Sequence, residues 1–74
     1  MSDFLSKPHR IKLGEAIRAR REALGISQAS LAETMSCGKK NIYEVEKGLV
    51  NVGIDFLTRI AFALNTTVND LIEF

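Results

Sequence analysis

From Ile11 onward, the apolar residues Leu13, Ala16, Ile17 and Leu24 recur at helical spacing, while Arg18, Arg21 and Glu22 fill the other faces. Pro8 fixes its own backbone and disfavours helix in the residue before it, so the spacing predicts a first helix that begins after it. Gly25 supplies a left-handed stop, and Ile26 is placed to pack back over the helix end. Ser27 suits the N-cap of a second helix whose apolar face is Leu31, Ala32 and Met35. That helix is only about two turns long, so tertiary packing must hold it. Ser36-Cys37-Gly38 breaks the pattern. A third helix is predicted over residues 39–47, with Ile42 and Val45 facing inward and Gly48 ending it. Residues 49–53 form an unusually apolar loop. A fourth helix is predicted over residues 54–64, its inner stripe being Leu57, Ile60, Ala61 and Leu64. Asn65 can take the left-handed conformation after it. Thr67 caps a short fifth helix that carries Val68, Leu71 and Ile72, with Asp70 near its positive end. No stretch alternates long enough for a strand, so the fold class is all-α with short connections.

Length sets the scale of this fold. Seventy-four residues make one domain, divided here into a flexible arm over residues 1–10 and a helical domain over residues 11–74. A chain of this size buries only about 60% of the surface it exposes when unfolded, and association would add buried apolar area. Cys37 is the one cysteine, which rules out an intrachain disulfide, and it reads as a small buried hydrophobe. No Cys and His cluster has zinc-finger spacing, so no metal or cofactor is expected. The N-terminal stretch lacks the apolar run of a signal peptide, and no apolar run is long enough to cross a membrane. A soluble protein of the reducing cytoplasm is expected. His9, the single histidine, has no nucleophile or metal constellation beside it, so the chain does not read as an enzyme.

The net charge of +1 conceals an asymmetry. Lys7, Arg10, Lys12, Arg18, Arg20 and Arg21 lie in one stretch opposed by Glu15, and Lys39, Lys40 and Lys47 form a second basic group. From Leu49 onward the only base is Arg59, against Asp55, Asp70 and Glu73. Such a distribution suits a molecule that meets a polyanion with one end, although runs of this kind are commonly solvated helix faces.

Two short helices separated by a three-residue break form a helix-turn-helix. The first of the pair lies across a DNA backbone, and the second can enter the major groove, about 12 Å wide. The outward residues of the second are Lys39, Lys40, Asn41, Tyr43, Glu44 and Lys47. Lys donates to guanine O6 and N7, Asn pairs with adenine, and Glu accepts from cytosine N4. Two lysines at a helix start oppose the helix dipole, a penalty that a nearby phosphate or guanine edge removes. Ser27 and Gln28 sit at the start of the preceding helix, where side chain and backbone N–H groups together suit a DNA phosphate.

These elements carry a resemblance. Leu13-Gly14, Ile17-Arg18, Arg21, Gly25-Ile26-Ser27-Gln28, Leu31-Ala32, Ile42, Glu46-Lys47-Gly48, Leu57, Ile60-Ala61, Ala63-Leu64 and Leu71 together resemble the Cro/CI (XRE-type) helix-turn-helix family of phage and bacterial regulators. The resemblance covers about residues 12–73 and implies a five-helix, lambda-repressor-like domain, a double-stranded DNA operator and a two-fold homodimer. It implies that Gln28 grips a phosphate, that Lys39, Lys40 and Glu44 occupy base-reading positions, and that Arg21 and Glu46 form a structural ion pair between the first and third helices. The turn departs from the family pattern of Gly, an apolar residue and a Ser-like cap. Either it shifts by a residue, or Ser36 takes a left-handed conformation at roughly 1–2 kcal/mol relative to glycine.

The chain ends after the fifth helix, so regulation is expected through concentration, dimerisation or a protein partner. Residues 51–57 are similar to the controller proteins of restriction–modification systems. Phe56, Phe62, Leu71, Ile72 and Phe74 are the candidates for a dimer interface, with Leu49, Val50 and Val52 of the apolar loop. Lys7 and Arg10 of the arm, with Lys47, are candidates for DNA phosphates. The alternative class is a protein-interaction module such as the antitoxin subunit of a toxin–antitoxin pair, which would bind a protein tightly and DNA weakly.

Overall fold

The spacing of apolar residues resolves into five helices in the computed structural model, which describes residues 6–73. They are α1 (Lys7–Ala23), α2 (Gln28–Thr34), α3 (Lys39–Glu46), α4 (Ile54–Ala63) and α5 (Val68–Leu71). No strand occurs among the described residues. The architecture is the all-α, lambda-repressor-like arrangement of five helices.

The first helix starts earlier than its apolar spacing indicates. Ser6 is the N-cap, with extended backbone, and Pro8 lies in the first turn. A proline there sacrifices no hydrogen bond, because the first N–H groups of a helix have no partner within it, and its fixed φ suits the helix. Lys7 and Arg10 are therefore helical residues and not parts of an arm. Residues 1–5 of the expected arm lie outside the described residues. Arg10 Nη1 also donates to Asn51 Oδ1 at 3.1 Å, which ties the start of α1 to the loop before α4.

The helix ends follow from local chemistry. Gly25 has φ +70°, and the N–H of Ile26 donates to the Arg21 carbonyl at 3.1 Å, closing α1. Ser27 and Thr67 accept from the N–H groups of Ser30 and Asp70, capping α2 and α5. Asn65 takes φ 55° after α4. Arg20 adds a cap that its place in a basic run does not reveal. Its Nε and Nη2 donate to the carbonyls of Leu64 and Asn65 at 3.0 and 2.8 Å, setting a cation against the negative end of α4.

Leu13, Ile17, Leu31, Ile42, Leu57, Ile60 and Leu64 form the fully buried centre. Around them α2 packs on α3, α1 on α3 and α5, and α4 on α5. Leu71 belongs to this core at 3% exposure, so it is not available to a partner as expected. Phe56 and Ile72 are half-buried and pack against the same core. Phe62 is the most open of the described interface candidates, at 87% exposure. Phe74 lies outside the described residues. In the apolar loop Val52 is buried, Val50 half-buried and Leu49 exposed.

Two glycines fix how closely α1 approaches α3. A Cβ on Gly14 would lie 2.4 Å from the Glu46 carbonyl oxygen and 2.6 Å from that of Val45. Gly48 has φ +72°, and a Cβ there would meet Ile11 at 2.8 Å. Gly14→Ala should improve intrinsic helix propensity yet destabilise the domain by about 1–3 kcal/mol, because the clash is with backbone. Urea denaturation followed by circular dichroism checks the sign. Ser36 has φ 55°, where a Cβ is unfavourable. Ser36→Gly should therefore raise the urea midpoint, by up to about 1 kcal/mol of stability.

Candidate nucleic-acid interface

The turn between α2 and α3 keeps its register without the usual residues. Ser36 takes the left-handed position, and its N–H donates to the Glu33 carbonyl at 3.1 Å. The N–H of Cys37 donates to the Ala32 carbonyl at 2.9 Å, and the half-buried Cys37 side chain packs against the core in the apolar position. Gly38 is the N-cap of α3, with extended backbone and no side chain to accept a bond. The departure from the family pattern is thus local strain at Ser36, not a shift. α3 consequently starts at Lys39.

One face of α3 is sealed. Ile42 is 0% and Val45 5% exposed. The opposite face carries Lys39, Lys40, Asn41, Tyr43 and Lys47, all exposed, with Glu44 half-buried among them. The Lys47 ammonium lies 5.8 Å from the centre of the Tyr43 ring, within cation–π range. Lys40 Nζ lies 3.9 Å from Glu44 Oε2, one helical turn along.

Glu46, on the inner side of α3, receives three charge-assisted or amide donors. Arg21 Nε reaches Oε2 at 2.7 Å and Nη2 reaches Oε1 at 3.1 Å, a bidentate pair. Arg21 Nη1 donates onward to the Ile26 carbonyl at 2.8 Å. The Gln28 amide Nε2 donates to Glu46 Oε1 at 2.9 Å. The hydrogen bonds that Arg21 donates to Glu46 raise the Arg21 pKa above its ordinary value, against an opposing effect of burial. The family resemblance implies a Gln28 amide aimed at a phosphate. In the structure one of its N–H groups goes to Glu46, which leaves the amide oriented by the ion pair.

The remaining site candidates are distributed around this centre. Ser27 Oγ accepts from the Ser30 N–H at 3.0 Å, so its hydroxyl serves the cap. Gln28, Arg18, Tyr43 and Lys47 line a cleft of about 390 Å³ over the Arg21–Glu46 pair. Lys7 is exposed on the first turn of α1, and Arg10 is half-buried beside Asn51. Sequence reasoning missed Arg59, whose Nη2 donates to the Met35 carbonyl and caps α2 from α4. The lone base in an acidic C-terminal segment was the available signal for it. Among the described residues no group of three His, Cys, Asp or Glu is placed to hold a metal ion, and no helix is long and apolar enough to cross a membrane.

Residues 12–74 match the helix-turn-helix domain family. An HTH-type transcriptional regulator of Sinorhizobium medicae is 38% identical over 66 residues, 89% of this chain and 48% of the relative. The chain thus spans about half the length of that curated relative. Among solved structures, the restriction–modification controller protein C.AhdI from Aeromonas hydrophila superposes with a TM-score of 0.80 at 31% identity, over 84% of this chain and 94% of that one. The clp gene regulator ClgR from C. glutamicum gives a TM-score of 0.86 at 29% identity, over 88% and 83% of the two chains.

The Arg21 and Glu46 side chains are 10% and 2% exposed, so removing one partner strands the other. Arg21→Ala or Glu46→Ala should each cost about 3–5 kcal/mol in urea denaturation, and the double replacement Arg21→Met with Glu46→Leu much less. Because the folded-state pKa of Arg21 is raised, its contribution is complete below the ordinary arginine value and lost only as pH climbs through the raised one. Stability owed to Arg21 ionisation should thus be level from neutral pH to mildly alkaline pH.

Proposed function

Because the chain belongs to the XRE-type helix-turn-helix regulator family, we propose that it is a sequence-specific double-stranded DNA-binding transcriptional regulator. It acts as a homodimer on a two-fold symmetric operator. The observation that carries this reading is the two-sided character of α3. Ile42 and Val45 anchor it to the core, while Lys39, Lys40, Asn41 and Tyr43 stand exposed on its outer side. That outer side carries donors suited to base edges, on a helix whose width fits the major groove.

Around α3 the phosphate contacts are supplied by several elements. Gln28 keeps a second N–H for a phosphate while the first holds Glu46, and Ser27 lies beside it at the start of α2. Lys47, Lys7 and Arg10 add positive charge at the end of α3 and the start of α1. Phe62 supports the homodimer, since an aromatic ring at 87% exposure is stabilised by a covering surface. The ring borders a cleft of about 640 Å³ that includes Met35, Thr58, Arg59 and Ala63. The similarity to C.AhdI, matched over 94% of its length, supports a compact regulator of the controller kind. Phe62 also favours a second reading, in which the chain is a protein-interaction module such as an antitoxin subunit.

Selection from a random duplex library at near-physiological salt should return a two-fold symmetric consensus, lost when Lys39 and Lys40 become alanine. Absence of enrichment by the unaltered protein would sink the DNA reading and favour the protein-interaction one. Lys7→Ala should weaken binding uniformly across sequences and lower the slope of log K against log salt by about one. Phe62→Glu should shift the protein from dimer to monomer in analytical ultracentrifugation and weaken operator binding. A change in neither would remove Phe62 from the interface.

A further inference from the structure

We infer that Lys40 and Glu44 act as one unit that reads a single C·G base pair, with the cytosine facing Glu44. The inference rests on α3 lying in the major groove.

Glu44 is out of place on a face built to meet a polyanion. Of the outward residues Lys39, Lys40, Asn41, Tyr43, Glu44 and Lys47, it is the only one that can solely accept hydrogen bonds. A carboxylate cannot contact a phosphate, so its one favourable partner on DNA is a base amino group. It is also held in position. Its side chain is 30% exposed where that of Lys40 is 82% exposed, and it borders a cleft with Val50, Asn51 and Phe56. The Glu44 carbonyl accepts from the Leu49 N–H at 3.0 Å, fixing the helix backbone beneath it. A side chain with one wall against the protein cannot swing clear of the groove, so an unsuitable base is rejected.

The edges that bases present decide which one suits. Guanine and thymine offer acceptors there, which repel a carboxylate. Adenine offers an amino group but sets the N7 acceptor beside it on the same base, whereas cytosine offers its N4 amino group with no acceptor on its own major-groove edge. Cytosine is therefore the match. Its partner guanine places O6 and N7 next to that amino group across the same pair, and a lysine is the donor for them. Lys40 Nζ and Glu44 Oε2 are 3.9 Å apart, too far for a hydrogen bond that would saturate either group. They offer one donor and one acceptor side by side, the complement of a C·G edge.

Glutamine in place of Glu44 has nearly the same shape but adds a donor, and that combination matches adenine N6 and N7. Sites selected from a random duplex library by the unaltered protein, by Glu44→Gln and by Glu44→Ala should therefore differ in one column per half-site. Cytosine should give way to adenine with Glu44→Gln, and preference should vanish with Glu44→Ala, while all other columns persist. On fixed duplexes the unaltered protein should prefer C·G at that position by at least about tenfold, and Lys40→Ala should reduce the same preference. If the variants keep the unaltered consensus in every column, the Lys40–Glu44 inference is overturned while the DNA reading stands. If the unaltered protein selects no consensus, the DNA reading falls and takes this inference with it. Circular dichroism of the two Glu44 variants, whose altered group is partly solvent-exposed, establishes that they are folded.

Discussion

The Glu46 carboxylate sits near the meeting point of three helices, and the rest of the domain is arranged around the donors it accepts from. Its residue is 7% exposed, an environment in which an unpaired carboxylate is costly. Arg21 from α1 and Gln28 from α2 together supply three donors to it. The same guanidinium continues to the Ile26 carbonyl, just before α2 begins. One ion pair thus sets where α2 starts, how α1 lies and how the inner side of α3 is turned. The close approach at Gly14 follows from it, since the α1 backbone must come up against the carbonyls of Val45 and Glu46 for the pair to form. The outward face of α3 is a by-product of fastening the inward one.

This arrangement separates two kinds of charge that look alike along the chain. Arg20, Arg21 and Arg59 are spent on carbonyl and carboxylate groups of the protein itself. Lys39, Lys40 and Lys47 remain at the surface. Arginine suits the first task because its rigid fork reaches two acceptors at once, and lysine suits the second because it is a mobile point charge. The basic stretch of α1 is therefore partly scaffold, and less of it faces solvent than its composition suggests.

Most of the fold was legible in the sequence because its signals are local. Gly25, Asn65, Ser27 and Thr67 mark helix ends by conformational preference and hydrogen-bonding reach, and they do so wherever the chain goes. The start of α1 is not legible from Pro8, since a proline in the first turn breaks nothing and marks no boundary after itself. The core place of Leu71 is not legible either, because a four-residue helix has too few positions to separate a core face from a partner face. Arg20 on Leu64 and Asn65, and Arg10 on Asn51, join residues more than forty positions apart, and such bonds leave no periodic trace. Of the candidate interface, the exposed residues of α3 were legible from helical phase alone. The Gln28 bond to Glu46 was not, because it depends on where α3 ends relative to α2.

The short α2 is fastened at both ends by arginines from other helices, Arg21 at the Ile26 carbonyl and Arg59 at the Met35 carbonyl. A segment of seven residues would fray in isolation. Held in this way, it has surrendered its conformational freedom when the domain folds, and little remains to be lost when the domain meets a ligand. The entropy of ordering is charged to folding instead of to association, so a small rigid surface can discriminate between ligands through contacts that a mobile one would dissipate.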